Sequence, residues 1–170
     1  MSDEKQPAIC KRCGRIELDK NLEVDEATMK EYFRCSLGGK PFTRSFNVAD
    51  GDFTATFEVL SADAEVLLDK YINKDMTDIA LMDLRLLLTL KEITKLDAET
   101  SGIKTIYSRD KKERIKALDN PKASLEQLTS NFDSIMLGVL RRMNVTFMIL
   151  TNTILENIIN QDFYEGVGLR

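Results

Sequence analysis

The chain has no histidine and no tryptophan, and only three cysteines and three prolines in 170 residues. The missing histidine removes a Ser-His-Asp triad, a Cys-His pair, an HExxH zinc site and a histidine pH switch together. Three cysteines cannot build a disulfide framework. Positive charge is not in excess either: 24 Lys+Arg stand against 28 Asp+Glu, a formal net charge of −4. That balance argues against a generally basic nucleic-acid-binding surface. Met1 to Ile9 is polar and acidic, without the basic start and apolar run of a secretory leader, so none is expected. What is present is a globular composition, 43% hydrophobic and 31% charged. The length suits one domain, or a small core with an appendage. These exclusions favour a protein that acts by contact over one that acts by catalysis.

The most apolar stretch, Ile135 to Leu155, has about the length of a membrane span. It carries Arg141 and Arg142 side by side, plus Asn144 and Asn152. An arginine at the centre of a bilayer costs roughly 2.5–3.5 kcal/mol even on the most lenient scale. Burial against protein costs less, and the expectation is a chain with no membrane partner.

Local signals order the rest of the chain. Cys10-Lys-Arg-Cys13-Gly14 has the form of a zinc knuckle, in which a tight turn aims two thiolates at one point. Asp25 is placed to cap a helix over Glu26 to Leu37, with Val24 and Met29 as a hydrophobic staple and Gly38-Gly39 as the stop. Phe46 and Val48, then Phe53, Ala55, Phe57 and Val59, alternate with polar residues on either side of Asp50-Gly51. That is a β-hairpin over about 42–59. Its Phe face needs a cover, because an isolated hairpin is marginal in water. Ser61 is placed to cap a helix from Ala62 to about Ile72, and Asp75 another from Met76 to about Leu96. The second is apolar around most of its circumference and is expected at the centre of a core.

Asp97 to Gly102 reads as a linker, and Lys104 to Lys116 carries six basic residues against two acidic ones. Ser124 and Gln127 match a capping box for a final helix. Apolar residues follow at Leu125, Leu128, Phe132, Ile135 and Val139, then one position over at Leu140, Met143, Phe147, Leu150 and Ile154. This is a heptad seam with one shift. Unbroken to Asn160, the helix would be about 54 Å long at 1.5 Å per residue. The expected architecture is α+β and mostly helical. It divides into a cysteine-bearing lobe (1–39), a hairpin-and-helix core (40–96), a charged linker (97–123), a long apolar helix (124–160) and a tail (161–170).

Three groups of residues are candidates for function. Cys10, Cys13 and Cys35 offer zinc three of its four ligands. The alternatives are a structural zinc completed by a carboxylate or another chain's cysteine, inert thiols, or a redox pair. Lys111, Lys112 and Arg114 are the candidate phosphate contacts, against a solvated helix face or linker as the bland reading. Leu128, Phe132, Ile135, Val139, Leu140, Met143, Phe147, Leu150 and Ile154 form the candidate partner interface. A ten-residue seam left in water forgoes on the order of 20 kcal/mol, so a second polypeptide, or a copy of this one, is expected to cover it. Arg141 and Arg142 are expected to meet that partner's carboxylates.

The order of features also resembles a known group. The Cys10-x-x-Cys13-Gly14 start is followed by a short helix and a Leu-Gly-Gly-Lys-Pro-Phe-Thr step from Leu37 to Thr43. Phe-Thr-Ala-Thr-Phe-Glu-Val-Leu from Phe53 to Leu60 and a Ser-headed helix come next. This is similar to small tail-morphogenesis proteins of tailed bacteriophages, particularly the baseplate hub subunits of contractile tails. The resemblance spans about residues 10–96. It implies a virion or tail-assembly role, partners among other tail proteins, and no enzymatic activity. The alternative is a zinc-knuckle adaptor that binds nucleic acid non-specifically through Lys104–Lys116.

Overall fold

The computed structural model describes residues 24–72, 75–130 and 132–159. The chain is α+β and mostly helical, with a small antiparallel sheet and a long C-terminal helix. Helix α1 is Glu26–Leu37, capped as expected: the Thr28 N–H donates to Asp25 Oδ1 at 2.7 Å. It ends at Gly38, and Gly39 takes the left-handed φ of +66° that glycine accepts without strain. Met29 is buried, and Tyr32 meets Phe42 edge to face at 5.7 Å. Arg44 then ties α1 to the sheet by donating to Glu31 at 2.8 Å while lying over the Phe42 ring.

Strands β1 (Thr43–Val48) and β2 (Phe53–Glu58) form the expected hairpin, with Phe46 opposite Ala55 and Val48 opposite Phe53. Three successive positive φ angles, at Ala49, Asp50 and Gly51, close the loop. Phe53, Ala55 and Phe57 are buried on one face. On the other face the Ser45 and Thr56 hydroxyls bond across the strands at 2.8 Å. Alternation of period two thus places the core side and the wet side of this hairpin.

The chain next enters α2 (Ala62–Tyr71) and α3 (Asp78–Thr89), and here the expected helix to Leu96 is corrected. Thr77, not Asp75, caps the start of α3, its hydroxyl oxygen accepting from Ala80 N at 3.2 Å. The helix stops at Thr89, and Leu90–Leu96 is strand β3, paired antiparallel with β2 so that Ile93 faces Ala55. The open edge of β2 supplies backbone partners that no local propensity reports, and pairing overrides a helix-compatible Lys-Glu stretch. Residues 97–102 turn a second hairpin into β4 (Ile103–Ser108) instead of forming a linker. Asp97 organises that turn by accepting from Glu99 N and Thr100 Oγ1. The sheet order is β1-β2-β3-β4, antiparallel throughout.

Tyr107 lies opposite Ile93 under the Arg109 guanidinium. Its hydroxyl is buried with no hydrogen-bond partner among the described residues, and burial pushes its pKa up. Tyr107→Phe is therefore expected to leave stability unchanged or raise it by about 1 kcal/mol, since it deletes an unpaid desolvation cost. Urea unfolding checks this, and a loss above about 1 kcal/mol would show that the hydroxyl has a partner.

Helix α4 (Lys111–Lys116) starts with a reciprocal capping box. Asp110 Oδ1 accepts from Glu113 N at 2.9 Å, and Glu113 Oε2 from Asp110 N at 2.8 Å. Helix α5 is Pro121–Thr129, capped by Asn120 with proline at its first position. The capping box expected at Ser124 and Gln127 is not formed, and the Ser124 hydroxyl instead donates to Ala117 O at 3.1 Å. The long helix expected from residue 124 is broken as well. The chain turns after Thr129, Phe132 packs edge to face on Phe53 at 6.0 Å, and Asp133 accepts from Met136 N at 2.9 Å to start α6 (Ser134–Ile159). At 26 residues, α6 is about 39 Å long.

Helix α6 lies against β2 and α3. Leu140, Met143, Phe147 and Ile154 are buried there together with Phe57, Leu86, Leu87, Leu90 and Ile93. The Phe57 and Phe147 rings stack at 5.7 Å. Asn144, fully buried, holds the Thr89 hydroxyl at 2.9 Å. Arg141 grips Asp83 of α3 with Nε and a terminal nitrogen, both at 2.8 Å. The helix has the length and mean hydropathy (1.2) of a membrane span, and its buried residues Leu140, Met143, Phe147 and Ile154 pack into the core. A second cluster, Leu68, Leu84, Leu88 and Leu118, joins α2 to α3 and the turn after α4.

Candidate functional site

The apolar stripe is covered mainly from within. Leu128, Leu140, Met143, Phe147 and Ile154 sit in the chain's own core, so the expectation that a partner covers them is corrected. The reason is the added strand β3: four strands present an apolar face wide enough for α6, where the single expected hairpin was not. Phe132, Val139 and Leu150 are half-buried against the same core. Ile135 alone of the nine stands well out in solvent, 73% exposed. Arg141 likewise meets this chain's Asp83 and not a partner's carboxylate.

The basic run does not form one patch. Lys104 is on β4, while Arg109 donates to Gln127 Oε1 at 2.8 Å. Lys111 pairs with Asp63 at 2.9 Å. Arg114 is buried, only 3% exposed, and pairs with Glu58. Lys112 and Lys116 remain exposed. Arg114 is thus corrected as a phosphate contact: its charge is turned inward, toward a carboxylate on β2. Cys35 lies half-buried in the last turn of α1 as a free thiol. Cys10 and Cys13 fall outside the described residues, and so does the knuckle. Among the described residues, no three Cys, Asp or Glu side chains converge on a point.

Two concavities emerge that residue-by-residue reading missed. The first is a cleft of about 600 Å³ where the end of β2, the start of α2, the loop after α1, and α4 meet. Lys40, Phe42, Glu58, Ser61, Lys111 and Arg114 line it. Glu58 is the centre of its electrostatics: Arg114 pairs with one carboxylate oxygen, and Lys91 lies 3.4 Å from the other. On the rim, the Ser61 hydroxyl and then the Lys111 ammonium hold the Asp63 carboxyl down to about 2. The local signal for Glu58 was a lone carboxylate within Phe57-Glu-Val-Leu60. Its partner is 56 residues away, which no spacing rule reaches.

The second concavity is an apolar groove of about 370 Å³ between the end of α2, α3 and α5. Tyr71, Met76, Ala80, Leu84, Leu87 and Leu125 form its walls, and Asp83 lies at its side. Exposed Ile72 and Ile79 neighbour these walls in the chain. No family model, curated protein or solved structure matches the chain.

Proposed function

We propose that this chain is a non-enzymatic subunit of a bacteriophage tail or baseplate, a structural or assembly component that acts through protein–protein contacts. The observation that carries the reading is the apolar groove between α2, α3 and α5, beside which in the chain stand exposed Ile72 and Ile79. It has the size and lining to take apolar side chains from a neighbouring helix. The resemblance of residues 10–96 to tail-morphogenesis proteins supplies the setting, a virion assembled in the host cytoplasm. The nucleic-acid reading draws less support, because its basic run is split among a strand, the Lys111–Asp63 ion pair and a buried arginine paired with Glu58.

The test is native mass with and without neighbouring tail proteins. The wild-type chain is expected to form stoichiometric complexes, and Ala80→Arg, which fills the groove, to remain folded and lose them. A monomer at every concentration that binds no tail protein overturns the proposal. Mass spectrometry of purified particles then separates a resident subunit from an assembly chaperone, which would be absent from the finished virion.

A further inference from the structure

We infer that the cleft between β2, α2 and α4 is a docking socket for an acidic peptide segment of a partner protein, one that presents a carboxylate beside an apolar side chain. The inference rests on the protein-contact reading above and specifies a second contact, distinct from the apolar groove. Charge comes first. Among the lining side chains Lys40, Lys111 and Arg114 are cations and Glu58 is the one carboxylate, with Asp63 on the rim, in a chain whose net charge is −4. The lining thus carries more cations than carboxylates while the molecule as a whole is acidic, and a concave wall focuses the field of such groups.

The cations differ in how far they are already committed. Arg114 is held rigidly by Glu58 and by the Arg109 carbonyl, yet its Nε, buried in the wall, has no partner among the described residues. Lys111 is shared with an exposed carboxylate. Lys40 is exposed at the rim with no ion-pair partner among the described residues. A visiting carboxylate therefore finds one free ammonium and one that exchanges partners readily.

The remaining walls are apolar and selective. Tyr32, Pro41, Phe42 and Val59 line the cleft beside the charges, a surface suited to a Leu- or Phe-sized side chain. Helix α2 opens on the same space, with Ala62 and Ala64 in the wall and no side-chain cap on its first turn. A bare inorganic anion would use the charges and leave the apolar wall wet. An acidic peptide with an interleaved apolar residue uses both.

The test measures fluorescence polarisation of a labelled Glu-Leu-Glu-Phe-Glu peptide on the full chain at low salt. The Gln-Leu-Gln-Phe-Gln counterpart and inorganic phosphate are run alongside. Saturable binding is expected, about tenfold weaker for the Gln peptide and about tenfold weaker for Lys40→Glu, as the loss of one charge-assisted contact gives. Lys112→Glu, exposed on α4 and not part of the cleft lining, is expected to bind like wild type. The inference is overturned by absence of binding, by equal affinity for the two peptides, or by phosphate displacing the peptide at equal concentration. Equal losses in the two lysine variants would reduce the effect to overall charge and overturn it too. A chain that enters tail complexes but gives any of these results loses the socket and keeps its assembly role. One that binds the acidic peptide but no tail protein does the reverse.

Discussion

Phe147→Ala is expected to destabilise the chain by about 3–5 kcal/mol, the usual cost of emptying a large aromatic site in a core that cannot collapse. Phe147 is 2% exposed and stacks on Phe57, itself fully buried near the end of β2. The loss combines transfer free energy, the cavity and the ring–ring contact. Against a typical total of about 5–15 kcal/mol, it would consume a large share of the stability. The corresponding fall in melting temperature is roughly 6–20 °C for a chain of this size. Urea unfolding followed by circular dichroism measures it, with Ile135→Ala as the contrast. Ile135 is on the same helix but in solvent, and its truncation should stay within about 0.5 kcal/mol. If the two variants cost the same, α6 does not dock on the sheet through this face, and the stripe is again free for a partner.

Arg114→Ala is the second large effect, expected at about 3–5 kcal/mol. The mechanism differs. Removing Arg114 leaves Glu58, a carboxylate only 8% exposed, with Lys91 at 3.4 Å as its remaining cation. The cost is that of a buried charge losing its main partner, more than the worth of the pair itself. Replacing both residues by apolar ones of similar volume, Glu58→Leu with Arg114→Met, should therefore recover most of the loss. A double variant as unstable as Arg114→Ala alone would mean that the pair contributes through geometry, by anchoring α4 to β2, and not through charge compensation.

The two sites also show how far local reading reaches. Helix α1 and the first hairpin were legible because their determinants lie within a few residues of one another. Asp25 bonds Thr28, Gly39 carries the turn, and Phe53, Ala55 and Phe57 alternate within one strand. The capping box at Asp110 and Glu113 follows the same local rule, two residues three apart that bond each other's backbone. In β4, Ile103-Lys-Thr-Ile-Tyr-Ser108 carries the β-branched and aromatic residues of a strand, a signal masked by the two lysines-and-arginine-rich flank. The cleft was beyond such reading altogether: its charge pair joins Glu58 to Arg114, and its cations come from the loop after α1 and from α4.

By itself the amino-acid sequence determined the class of the molecule. It excluded histidine chemistry, set the α+β balance, and placed every element whose start, stop and periodicity are local. It also specified how much apolar surface had to be hidden, though not by what. Only the tertiary structure decided that residues 90–96 leave their helix to pair with β2, and that the chain breaks before Asp133 so that α6 can lie across the widened sheet. The physical reason is common to both. A strand is stable only with an edge to pair with, and an apolar helix only with a face to lie on. Both partners are supplied by residues far away in the chain.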